Sequence, residues 1–243
     1  MSQVRSLSGP PIYKYKVYTY YLNKVTVLDY NFLSTEECNL LIEKVTNLKN
    51  KWQTSINYPY LNFLPFSLYS CQVDSYLKNV SDYNNLMYHN FADLYEKLKN
   101  KLSSQLNISL SWHNKLNYPG FHISNEKAMS YPNFHVDGFN QLNDIFKGKQ
   151  KFFFSNDKIL SVIVPISTSS EKDGLIYRNS KLPESKRKEL IYDSFLPYKP
   201  GMLALWDGKV EHSMNPFPAH QQDKLRITLQ CHIALSDKGY IFW

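Results

Sequence analysis

Cysteine is scarce in this chain of 243 residues: Cys38, Cys71 and Cys231 stand far apart, and no Cys-x-x-Cys pair occurs. That excludes both a disulfide framework and a zinc knuckle. Glycine is scarce too, with 8 residues against 12 Pro, and no repeat recurs along the chain, which argues against solenoids and propellers. No apolar run reaches the roughly 18 residues that would cross a bilayer. The opening MSQVRSLSGPP lacks the apolar core of a secretory signal, so a soluble, cytoplasmic protein is expected. Arginine is the scarcest charge, with 4 among 28 basic residues. Planar, bidentate recognition of phosphates and bases usually falls to Arg. A formal charge of +7 made almost wholly of Lys therefore reads as solubility and compositional drift rather than a nucleic-acid footprint.

What is abundant is apolar and aromatic. Hydrophobic residues make up 43% and aromatic residues 15% of the chain, which excludes a disordered protein because aromatic burial offsets ordering entropy. The length suits one large domain, with residues 1–24 as an N-terminal arm and 25–243 as the domain proper. In the arm, Tyr13 to Tyr18 alternate as an extended edge. Within the domain, 25–108 reads as helical support and 109–243 as a barrel core. Val25 to Leu28 is a short strand, and Ser34 with Glu37 forms a capping box after the staple residue Leu33, starting a helix through Cys38, Leu41, Ile42 and Val45. Strand pieces are expected around Phe66 to Val73 and a second helix over Asp82 to Leu106, with Leu86, Phe91, Leu94 and Leu98 on its apolar face. From Ser109 the period becomes strand-like: Ser109–Trp112, Phe121–Ser124, Asn133–Asp137, Leu160–Ile166, Gly174–Tyr177, Met202–Trp206 and Leu225–Ile233. Short strands after two helices predict an α+β, mainly β fold, a sandwich or barrel with helices on one side.

The residues that carry chemistry lie on those strands. In Asn133-Phe134-His135-Val136-Asp137-Gly138, positions i and i+2 share a face, so His135 and Asp137 project together. An imidazole and a carboxylate on one face are two-thirds of a facial metal triad of the non-haem Fe(II) kind. The pair arises easily by accident, and a solvated strand end explains it equally well. A second signal is His212, which follows Pro200-Gly201, the apolar strand to Trp206 and the turn Asp207-Gly208. A third is the strand Lys224 to Ile233, in which Leu225, Ile227, Leu229, Cys231 and Ile233 form an apolar row and Arg226, Thr228, Gln230 and His232 a polar one. The polar row could face water. In a barrel covered by helices it instead lines the interior, where Arg226 needs an anionic partner because an unpaired buried charge costs several kcal/mol. A dicarboxylate ligand would meet it bidentately, with the Thr228 hydroxyl as second donor. Arg178-Asn179-Ser180, before a charged, Pro-containing segment, reads as a loop and is set aside.

His135-x-Asp137, a distal His212 and Arg226-x-Thr228, in that order, resemble the Fe(II)/2-oxoglutarate-dependent dioxygenases, particularly the prolyl-hydroxylase-like group. Phe32 to Cys38 is similar to the approach to that group's first supporting helix, and Pro119 to Ile123 to its first barrel strand, so the resemblance covers roughly residues 25–243. It implies a double-stranded β-helix, a cupin-like jelly roll with supporting N-terminal helices. It implies Fe(II) held by His135, Asp137 and His212, and 2-oxoglutarate bound through Arg226 and Thr228, with ascorbate admitted as a reductant. His122, Ser124 or Tyr131 is left as a further cofactor contact. The implied reaction hydroxylates a peptidyl (prolyl-like) or small-molecule substrate and releases succinate and CO2.

Two departures bear on the substrate. Nucleic-acid demethylases of the superfamily carry a second Arg six residues after the first, where this chain has His232. The gap from His212 to Arg226 is also long for the group, which predicts a bulged loop over Met214 to Asp223. The connection Phe139 to Asp157, with Lys147, Lys149 and Lys151 leading into Phe152 to Phe154, could cover the mouth and bind an anionic or aromatic substrate, or stack on bases. It carries the alternative reading, a nucleic-acid-binding or nucleic-acid-modifying protein. Ser180 to Asp193 reads as an inserted helical turn, and Tyr240 to Trp243 as a strand end tucked onto the core.

Overall fold

A computed structural model describes residues 25–55, 60–67, 73–124, 134–137, 158–178, 194–214, 225–235 and 239–243. The arm, Tyr131, Cys71, the connection 139–157, the segment 180–193 and nearly all of the loop after Met214 lie outside the described residues.

Strand β1 (Thr26–Asp29) leads into helix α1 (Thr35–Asn47). Both arms of the capping box form: the Glu37 amide donates to Ser34 Oγ at 3.2 Å and the Ser34 amide to Glu37 Oε2 at 2.7 Å. Cys38, Leu41 and Val45 are the buried stripe of this helix. Its start is docked by the turn Lys199 to Met202, where Pro200 presets φ and Gly201, at φ 84°, takes a conformation that suits glycine. The Gly201 carbonyl accepts from the Leu33 amide at 2.9 Å.

After β2 (Gln53–Thr54) and β3 (Leu61–Leu64) comes α2, which runs Val73–Leu106. It therefore begins nine residues before the expected Asp82, while the strand pieces expected around Phe66 to Val73 fall largely on residues 68–72, outside the described residues. The reason is visible in its packing: Tyr76 and Val80 are buried, and the Tyr76 hydroxyl donates to the Trp243 carbonyl at 2.8 Å, so tertiary contacts extend a turn that is locally polar. Backbone angles depart from helical at Phe91 (φ −132°, ψ 20°), and the buried face ahead of that kink is set by Met87 rather than Leu86.

The remaining strands are β4 (Leu110–Trp112), β5 (Gly120–Ser124), β6 (Lys158–Ser167), β7 (Gly174–Tyr177), β8 (Ser194–Pro197), β9 (Leu203–Asp207), β10 (His212–Met214), β11 (Arg226–Leu235) and β12 (Gly239–Phe242). The large sheet runs β1-β9-β6-β11-β5-β3-β2 with β12 beside β11, and the small one β10-β7-β8. An isolated bridge between His135 and His212 sets the His135 segment alongside β10. Strands β9-β6-β11-β5 thus face β8-β7-β10 and the His135 segment, which is a double-stranded β-helix. The C-terminal residues form β12 against β11, as a tucked strand end.

Alternation along β11 sorts the two layers. Ile227, Leu229, Cys231 and Ile233 join the core that includes Cys38, Leu41 and Val45 of α1 and Met87, Phe91, Leu94 and Leu98 of α2. Each large apolar side chain buried there contributes about 1.5–3 kcal/mol. The opposite row, Arg226, Thr228, Gln230 and His232, is left to the space between the sheets. Ile163 of β6, Ala204 and Trp206 of β9, and Leu175 of β7 close that space. Cys38 and Cys231 are both free and buried.

Candidate metal centre

His135 and His212 stand directly opposite each other because their backbones exchange two hydrogen bonds, each 2.9 Å. Their rings lie 4.5 Å apart between centroids. Asp137, two residues on, is fixed by its amide donating to the Gly208 carbonyl at 2.8 Å. A side chain at position 208 would collide with the Asp137 carbonyl, so the turn Asp207-Gly208 needs its glycine for this close approach. His135 is exposed, Asp137 half-buried and His212 buried. One ligand atom from each falls within 4.8 Å of the others.

The hydrogen bonds fix which atoms face the centre. His212 Nδ1 lies 2.9 Å from the Val210 carbonyl, which can only accept, so Nδ1 carries the proton and Nε2 presents a lone pair. That lone pair stands 3.3 Å from Asp137 Oδ2, itself an acceptor, and His135 Nε2 is 3.8 Å from Asp137 Oδ1. Two facing acceptors repel unless a proton or a cation sits between them. Burial lowers the His212 pKa against the pull of Asp137, which opposes the proton. Burial would raise the Asp137 carboxyl, but His212, His232 and His135 around it, with the Ser161 hydrogen bond, hold it down to about 2. The donors therefore fit a divalent cation: ligands bound cis at about 2.1 Å stand about 3 Å apart. Two neutral imidazoles and one carboxylate are the Fe(II) set that leaves further positions open.

Asp137 is held from behind. Ser161 Oγ donates to its Oδ2 at 2.7 Å and lies 3.4 Å from His232 Nδ1. Sequence reasoning missed Ser161, although it is the single polar residue in the apolar stretch from Ile159 to Ile166 of β6. His232, the position that departs from the demethylase pattern, thus has its Nδ1 beside the Ser161 hydroxyl.

Arg226 is 3% exposed, and its Nη1 lies 3.7 Å from Oδ1 of the fully buried Asp173. The anionic partner demanded of Arg226 is therefore supplied within the chain, an outcome the sequence reading assigned to a ligand alone. Asp173 is anchored by the Ser169 amide at 2.6 Å and the Ser169 hydroxyl at 2.9 Å. Thr228 is buried, and its Oγ1 accepts from Gln230 Nε2 at 3.0 Å. His122 pairs with Thr228 across β5 and β11, and its ring meets those of Phe63 and Trp243 edge-on, each at 4.8 Å. Burial, reinforced by His135, lowers His122 to about 3, and the same group also feels Asp137 and Arg226. Ser124 is buried opposite Arg226. Among the described residues, His122 Nδ1 and the Tyr198 hydroxyl are buried polar atoms without a hydrogen-bond partner. Such atoms cost about 1–3 kcal/mol each when left dry, so this space suits a polar occupant. Tyr198 and Asp173 were not foreseen; the cue for the latter is Ser169-Ser170 before Asp173, a turn that ends β6.

Arg178 lies just past the end of β7, outside any strand, as the loop reading has it. Its amide and its side chain both bind Glu211, next to His212.

No protein-family model and no curated protein matches the chain. Solved structures do. HygX from Streptomyces hygroscopicus, crystallised with nickel and 2-oxoglutarate bound, aligns with a TM-score of 0.54 at 11% identity over 90% of this chain and 85% of that one. AviO1 from Streptomyces viridochromogenes Tue57 aligns with a TM-score of 0.51 at 10% identity over 92% and 95%. At such identities the likeness shows a shared fold, the double-stranded β-helix. No helix among the described residues is long and apolar enough to cross a membrane.

Proposed function

We propose that this protein is an Fe(II)- and 2-oxoglutarate-dependent oxygenase that hydroxylates a peptidyl or small-molecule substrate. The observation that carries the reading is the facing of His212 Nε2 and Asp137 Oδ2 at 3.3 Å, beside His135, in the fold of a protein crystallised with nickel and 2-oxoglutarate. His135, Asp137 and His212 would hold the iron. Bound Fe(II) with 2-oxoglutarate supplies an O2-derived oxidant that removes a substrate hydrogen, the co-substrate leaving as succinate and CO2.

The chain's own residues supply position and polarity. Val210 keeps His212 in the tautomer that offers Nε2, and Ser161 keeps Asp137 ionised and oriented. Arg226 takes the distal carboxylate of 2-oxoglutarate: its fork carries five N–H donors, and Asp173 at 3.7 Å balances its charge as an ion pair beyond hydrogen-bond length. Thr228 adds a hydroxyl on the same row, and neutral His122 lines the path between carboxylate and metal. The exposed side of His135 is where substrate arrives. The nucleic-acid alternative rests on the formal charge of +7 and on Lys147 to Phe154, which lies outside the described residues, and gains nothing from the site.

Calorimetry tests the reading. 2-Oxoglutarate should bind the Mn(II)-loaded protein and not His135→Ala under the same conditions; equal binding with and without metal would refute it.

A further inference from the structure

Among the described residues, the segment bearing His135 and Asp137 meets β10 through one bridge, the two backbone hydrogen bonds between His135 and His212, with the Asp137 amide bound to the Gly208 carbonyl beyond it. One ångström of drift there would spoil the spacing of two metal ligands. Both histidines point inward, and by alternation the residue before each, Phe134 and Glu211, points to the opposite face of the small sheet. One side chain meets both. The Arg178 guanidinium carbon lies 3.9 Å from the centroid of the Phe134 ring, and its Nη1 donates to Glu211 Oε1 at 3.0 Å. Its amide also donates to the Glu211 carbonyl at 2.8 Å, continuing the pairing of β7 with β10. Side-chain exposure of 21% for Arg178 and 33% for Glu211 keeps the pair partly shielded from water and salt.

We propose that Arg178 is a positioning residue for the metal centre, a clamp on the outer face of the small sheet that sets the distance between His135 and His212. The proposal rests on the metal reading given above. Guanidinium chemistry suits the role, because one planar group stacks on an aromatic ring and donates in its plane to a carboxylate at the same time. Lysine can do each only in part. Groups that orient metal ligands from behind commonly change metal affinity by about 10–100-fold when removed.

The test is a Mn(II) titration followed by electron paramagnetic resonance, on wild type, Arg178→Ala and Arg178→Lys, well below the melting temperature of each metal-free protein. Arg178→Ala should bind Mn(II) about tenfold more weakly, with Arg178→Lys between the two, and the visible spectrum of the Co(II)-loaded protein should change in the alanine variant. A merely structural residue would lower the melting temperature and leave the affinity and the Co(II) spectrum of the folded protein untouched. Should Arg178→Ala fail to fold, Glu211→Gln and Phe134→Leu each remove one arm of the clamp and should weaken Mn(II) binding about threefold. Wild-type affinity in the folded variants overturns the clamp. Absence of Mn(II) binding in wild type overturns the metal reading instead, which keeps the two failures apart.

Discussion

Replacing Asp173 with alanine removes the carboxylate that balances a guanidinium only 3% exposed. Breaking a buried ion pair from one side costs about 3–5 kcal/mol, because the remaining charge stays in a poor solvent. The hydrogen bonds from Ser169 go with it, so about 4 kcal/mol is a fair central value. For a chain of this size each kcal/mol moves the melting temperature by about 2–4 °C, which places the fall at about 8–16 °C. Circular dichroism melts of the Mn(II)-loaded protein read this directly. Asp173→Asn keeps partners for Ser169 and should fall by less, separating charge from hydrogen bonding. With Arg226 as the proposed carboxylate site, saturating 2-oxoglutarate should raise the melting temperature more in Asp173→Ala than in wild type. A variant melting within about 2 °C of wild type would refute the buried pair. A variant that gains no more than wild type from 2-oxoglutarate would refute Arg226 as the carboxylate site.

Ser161→Ala removes the hydrogen bond to Asp137 and should weaken Mn(II) binding about tenfold, while urea unfolding of the metal-free protein shifts by about 1 kcal/mol. Arg178→Ala should weaken Mn(II) binding about tenfold, read in the same titration. Stability of the metal-free protein should decline on acidification. His122 and His113 are depressed by burial to about 3 and about 4, so the unfolded chain takes up protons below its ordinary value near 6.5 while the fold does not. Their contribution is complete above pH 6.5 and is lost as pH falls towards those values, at about 1.4 kcal/mol per pH unit for buried His122 and less for the more exposed His113. Urea melts at pH 7.5, 6 and 5 check this, and a flat profile would contradict it.

How far the sequence could be read depended on whether a residue's role was local. The two rows of β11 are visible in Leu225 to Ile233 because strand alternation needs no tertiary information, and the capping box at Ser34 and Glu37 is local by nature. His135, Asp137 and His212 could be gathered because each sits beside a turn or on a strand face. Helix α2 was misjudged at its start because Tyr76 and Val80 are held by the far C-terminus, through the Tyr76 bond to Trp243. Asp173 and Ser161 have local cues, a Ser-Ser turn and a lone polar residue in an apolar strand, but their partners, Arg226 and Asp137, lie tens of residues away, so the cues alone do not say what they bind. The contacts of Arg178, a loop residue in the sequence and in the fold, lie across the sheet in Phe134 and Glu211, and no local pattern announces them. Short strands such as β8 and β10 carry too few residues to show a period.

Anaerobic titration of the metal-free protein with Fe(II) and 2-oxoglutarate tests the central claim most directly. Chelation of the co-substrate on iron held by His135, Asp137 and His212 should produce a weak visible charge-transfer band that saturates at one iron per chain and disappears in His135→Ala. No band in wild type, or a band that persists in His135→Ala, would contradict the account.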